Sequence, residues 1–150
     1  MKTFKFYRSS LLIILGVFVL SSNTMSADEE ILIDTDEKAK EILLGHDWEC
    51  KFKDAMHSVT SEMVYEEASL KKVTAKVKNS LCPTGWGTLE GKIEEGRVSG
   101  KVTDVPAPCV SIAYDIKIYK SADGSYYKKG SHMNDLSGEI GQMGCVAVAK

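Results

Sequence analysis

Gly87-Thr88-Leu89-Glu90-Gly91-Lys92-Ile93-Glu94-Glu95-Gly96-Arg97-Val98-Ser99-Gly100-Lys101-Val102 is the stretch that decides the fold. Apolar residues and glycines alternate with polar ones on both sides of Glu94-Glu95-Gly96, a triplet suited to a tight turn. The segment reads as a β-hairpin. Downstream, Val110, Ile112, Tyr114, Ile116 and Ile118 form the longest stripe of the same period and predict a central strand. Upstream, Val73, Ala75 and Val77 alternate with Lys72, Thr74, Lys76 and Lys78, and Trp48, Cys50 and Phe52 with Glu49, Lys51 and Lys53. Ala122-Asp123-Gly124 supplies another hairpin turn. With segments at 60–66, 125–129 and 144–149, eight strands are expected from residue 47 onward. The fold class is mainly β: an antiparallel up-and-down meander closing into a small barrel. A loop is expected between Leu136 and Gly144, where alternation weakens.

Before the strands, residues 35–44 predict one short helix. Asp34 and Glu37 have capping-box spacing, and Gly45 suits a left-handed end. A mobile tail up to Ile33 is the alternative to an ordered lead-in. Further back, Lys2, Lys5 and Arg8 precede an apolar run from Leu11 to Leu20 and small residues ending at Ser26-Ala27. That order reads as a signal peptide over 1–27, followed by a single domain over 28–150. A spanning helix needs about 20 apolar residues, so no permanent membrane anchor is expected. The protein is expected to be exported, either periplasmic or secreted.

Loss of 27 residues removes three of the 19 Lys and Arg and none of the 21 Asp and Glu, leaving five net negative charges. With Arg97 its sole arginine, the domain is a poor fit to nucleic acid. Lysines 71, 72, 76 and 78 read as a solvated strand face.

Four cysteines in an exported chain predict two disulfides, with three possible connectivities. Cys82 and Cys109 lie 13 residues before Glu95 and 14 after it, so folding the hairpin brings them together. Pro83, Pro106 and Pro108 mark its open end. Cys50 and Cys145 remain, on strands that become neighbours only if the sheet closes.

A short helix followed by Gly45-His46-Asp47-Trp48 at the opening of an eight-stranded meander resembles the calycin group of lipocalins and their relatives. The tetrad has one residue more than the group's Gly-x-Trp. The resemblance implies barrel architecture and no particular binding residue.

Candidate chemistry is sparse. Ser69-Leu70-Lys71-Lys72 has the Ser-x-x-Lys form of some acyl-transfer enzymes, but it precedes a strand and lacks partner motifs. His46, Asp47, His57 and His132 could offer metal ligands, although nothing in their spacing requires it. No catalytic residue, metal or cofactor is expected. Trp86, within Pro83-Thr84-Gly85-Trp86-Gly87, is the best recognition anchor, with Pro83 and Gly85 beside it. Its other reading is core packing at the rim. Trp48, Phe52, Leu89, Ile93, Ile112, Tyr114 and Ile116 are expected to fill the barrel. The sequence therefore predicts a non-enzymatic protein- or surface-binding module acting through the rim near Trp86. The alternative is a carrier of a small apolar ligand.

Overall fold

The structure, a computed structural model, describes residues 28–53, 55, 58–80, 82, 85–104 and 112–150. The expected signal peptide and His57, Pro83, Pro106, Pro108, Cys109 and Val110 lie outside these residues. In chain order the described elements are β1 (Glu29–Ile31), α1 (Asp36–Ala39), a π-helical turn (Lys40–Leu44), β2 (His46–Lys53) and β3 (Ser58–Ala68). There follow β4 (Val73–Asn79), β5 (Gly87–Glu94), β6 (Arg97–Thr103), β7 (Ile112–Lys120), β8 (Tyr126–Asn134) and β9 (Ile140–Ala149). Each strand from β2 to β8 pairs antiparallel with the next, and β9 returns to β2, which closes an eight-stranded barrel.

Period two sorts the side chains. Trp48, Cys50 and Phe52 point inward on β2, Met63 and Tyr65 on β3, Val73, Ala75 and Val77 on β4, and Ile116 and Ile118 on β7. All are buried. A bulge between Tyr65 and Glu67 resets the phase, so that Glu66 and Glu67 both face solvent and Ala68 returns to the core. In the β5–β6 hairpin Glu94 pairs with Arg97 across Glu95 (φ 51°) and Gly96 (φ 74°). Two positive φ angles give the turn the twist of its strands, which a glycine accepts without strain.

Cys50 and Cys145 sit directly opposite one another on β2 and β9 and are disulfide-bonded across 95 residues. The expected pairing holds and staples the seam of the barrel; chain-entropy arguments credit a loop of this span with about 4–5 kcal/mol. Cys82 is buried, and no cysteine among the described residues is free. Its expected partner, Cys109, lies outside them.

The two ends differ. The helical segment covers the end where β2 begins, burying Ala39, Ile42 and Leu43. Asp36 accepts a hydrogen bond from the Leu70 amide of the β3–β4 turn at 2.7 Å, and the Trp48 indole donates to the Leu43 carbonyl at 3.5 Å. The opposite end carries the β2–β3, β4–β5, β6–β7 and β8–β9 connections.

Three expectations are corrected and one open alternative is decided. Thr35, not Asp34, caps the helix, its hydroxyl accepting from the Lys38 amide. Gly45 is right-handed (φ −69°), because the chain enters β2 at once instead of reversing. The lead-in is ordered: β1 pairs with β7 at Ile31↔Ile118, in line with β6, and Ile33 is buried. Residues 136–144 are not one loop, since β9 begins at Ile140 after a turn closed by Gly138 (φ 69°). Gly141 interrupts the alternation because a Cβ there would stand 2.4 Å from the His132 ring.

Candidate functional site

The lumen contains a lysine. Lys128 follows the inward phase of β8 and is fully buried. Its ammonium lies 4.1 Å from the Trp48 ring centroid and 4.6 Å from that of Tyr65, donates to the Tyr65 hydroxyl at 3.0 Å and touches the Met63 sulfur at 3.5 Å. Burial holds it well below the ordinary lysine range, and among the described residues no carboxylate pairs with it. Two aromatic faces offset part of that desolvation. Burial also raises the Tyr65 and Tyr114 phenols above their ordinary values, Tyr65 further through Tyr114. Towards the loop end Phe52 meets Tyr114 at 5.6 Å and His132 edge-on at 5.3 Å between ring centroids. The expected filling side chains are there: Trp48, Phe52, Leu89, Ile93, Tyr114 and Ile116 are buried, and Ile112 packs against them half-buried.

Of the metal candidates, the described ones, His46, Asp47 and His132, do not converge. His46, at the helical end, has its Nδ1 3.0 Å from the Ile42 carbonyl, and Asp47 pairs with Lys150. His132 is inside the barrel rather than on a distant loop. Among the described residues no three His, Cys, Asp or Glu are grouped to hold a metal ion. Ser69 donates to the Lys72 carbonyl and accepts from its amide, both at 3.1 Å, while the Lys72 amine binds Glu67 at 2.6 Å. That motif is a turn.

Trp86 stands where the chain enters β5, 40% exposed, with the Lys78 amine 5.8 Å from its ring centroid. Gly85 beside it is half-buried, and Pro83 lies outside the described residues. At the same end the tip of the β8–β9 hairpin exposes Met133, Leu136 and Ile140.

Lys78 also lines a groove of about 540 Å³ on the outer wall, with Glu49, Lys51, Thr60, Glu62 and Val146. The register shows how it is made. Across the outer face Val146 pairs with Glu49, Glu49 with Glu62, and Glu62 with Lys78. One row along, Gly144 pairs with Lys51 and Lys51 with Thr60. Beyond Val146 the first row continues through Tyr127 to Tyr119, whose rings stack at 5.2 Å. Tyr127 is pushed up to about 12, by desolvation first and then by its 2.6 Å hydrogen bond to Asp28. Neither Lys128 nor the Glu49–Glu62 row stands out from sequence. The inward phase of Tyr126, Lys128 and His132 was the available signal for the lysine, whereas the row depends on which strands pair and in what register.

No protein-family model matches the chain, and neither the curated proteins nor the solved structures yield a match to it.

Proposed function

We propose that this protein is an exported, non-enzymatic binding module that engages a protein partner through the barrel wall and rim at Trp86. One observation carries the reading: among the described residues an open groove lies outside the barrel against Lys78, whose amine reaches the Trp86 ring, while large side chains and Lys128 occupy the lumen. A carrier of a fatty acid or similar ligand needs the reverse arrangement. The half-exposed Trp86 offers a large aromatic surface at low ordering cost. The oxidised seam fits an exported protein, and a second bridge from Cys82 to Cys109, part of the same proposal, would fit it too. Likeness to calycins extends to barrel architecture and not to their internal site.

The test is affinity capture from the fluid that bathes the native protein, followed by titration of the captured partner. Trp86→Ala is expected to weaken the partner at least tenfold, about 1.4 kcal/mol, without changing the far-ultraviolet spectrum. A stoichiometric lipid in native preparations would establish the carrier instead.

A further inference from the structure

We infer that the helical end of the barrel is an acid-released cap: as the pH falls, residues 36–44 lift away and the lumen opens at Lys128, while the barrel wall stays closed. This goes beyond the binding surface at Trp86 and does not depend on it. Lys128 is fully buried, and among the described residues its amine meets a phenol, a thioether and two aromatic rings but no carboxylate. An amine so placed is held uncharged, and to keep a proton it must reach water.

The topology decides where water can enter. The eight strands form an unbroken ring of ladders whose seam is fixed by the Cys50–Cys145 disulfide, so opening the wall at β2 and β9 would break eight residue pairs. Towards the loop end Phe52 meets Tyr114 and His132 ring to ring, and Met143, opposite Phe52, is buried too. The amine reaches the other way. Met63 pairs with Trp48, and Tyr65, whose hydroxyl accepts from the amine at 3.0 Å, lies two residues nearer the β3–β4 turn where the helix is fastened. Trp48 in turn donates through its indole to the Leu43 carbonyl. Amine, indole and cap are consecutive layers. Besides the burial of Ala39, Ile42 and Leu43, residues 36–44 are held to the barrel by single hydrogen bonds: Asp36 to the Leu70 amide at 2.7 Å, Leu43 to Trp48 at 3.5 Å and Ile42 to His46 at 3.0 Å. A segment so attached opens below the cost of the whole fold.

Proton linkage gives the direction. Burial holds the closed-state amine well below 10.5, so beneath that value the open form binds a proton that the closed form lacks, and each unit fall in pH favours opening by up to about tenfold. Tyr65 from β3 and Tyr114 from β7 face the same interior, but their raised phenols keep their protons in both forms below 10. β8 adds Tyr126 and His132, β2 adds His46, and the helical segment adds Asp36; the buried side chains of β4, β5, β6 and β9 are not ionisable.

The experiment is amide hydrogen exchange of the folded, disulfide-intact protein between about pH 6 and 9, each rate divided by that of an unprotected amide at the same pH. The opening constants of residues 39–44 are expected to rise by about tenfold for each unit fall in pH. Amides of the β2–β9 ladder should stay at least tenfold better protected throughout. In Lys128→Met the slope at residues 39–44 should vanish. Three results would each overturn the inference: residues 39–44 opening without a pH slope in the wild type, a slope that survives in Lys128→Met and so belongs to Asp36 or His46, or exchange of cap and ladder together, which would make the event unfolding of the whole barrel.

Discussion

Lys128 and the Glu49–Glu62 pair are carried by strands of one barrel wall, one facing the lumen and the others facing solvent. Inside stands an amine with no carboxylate partner among the described residues, contacted by two aromatic faces, a phenol and a thioether. Outside, Glu49 and Glu62 face each other beside open space, with Lys51 and Lys78 along the same groove. The internal amine has been supplied with neighbours from its own chain. A charged group that faces open volume is answered by solvent and salt; an amine enclosed by its own chain's aromatic and polar atoms is part of the packing.

The largest effect expected concerns the two tryptophans. Trp48→Ala should cost about 3–5 kcal/mol in urea unfolding or prevent folding, since it empties the lumen and uncovers Lys128. Trp86→Ala should stay within about 0.5 kcal/mol of wild type. Comparable losses at both would erase the distinction between core and rim.

Next comes the buried amine. Because its folded-state pKa lies below the ordinary value of 10.5, the unfolded chain binds a proton that the folded chain does not, in the window beneath 10.5. Stability should rise with pH through that window and fall away as pH drops. Above 10.0 the raised phenols of Tyr65 and Tyr114 act oppositely, since the unfolded chain then loses protons that the folded one keeps. Thermal unfolding across pH 6–11 should show the alkaline maximum. Lys128→Met combined with Tyr65→Phe removes both hydrogen-bonding partners and should raise stability at pH 7 by about 1–3 kcal/mol while flattening the rise. An unchanged pH profile in that variant would mean that Lys128 is not desolvated as described.

The smallest effect sharpens the external side. Glu62→Gln relieves a like-charge pair and should stabilise the fold by several tenths of a kcal/mol at low salt, with the gain vanishing near 1 M salt. Destabilisation would show that Glu62 has a structural partner.

Much of the barrel was legible because period two and turn residues are local properties. Val73, Ala75 and Val77, or the Glu95-Gly96 turn, identify themselves without knowledge of their partners. The Cys50–Cys145 pair was legible for a different reason, that barrel closure and cysteine pairing require each other. The missed features depend on competition or register. Thr35 outcompeted Asp34 as the cap, a choice made by backbone geometry at one residue. The lead-in became β1 because β7 outruns β6 and leaves pairing positions at 118–120 that only an incoming strand can satisfy. Lys128 broke the rule that lysine faces water, since its chemistry is tolerated only where Trp48 and Tyr65 converge. Trp86 was legible as a residue but not as part of a site, because the groove beneath Lys78 is assembled from β9, β2, β3 and β4.

The return of β9 to β2 also limits how anything can bind. In an open sheet, a partner can dock by adding a strand of its own, taking affinity from main-chain hydrogen bonds and little from side chains. Here the pairing from His46↔Ala149 to Lys53↔Gln142 consumes the last free edges of the eight strands. Among the described residues only three-residue β1 leaves a ladder open. Among the described residues, backbone mimicry and edge-to-edge pairing are thereby confined to the short β1 edge. Any contact with the eight-stranded wall would then be made by side chains, and outward-facing residues can change without disturbing the pairing that holds the barrel shut.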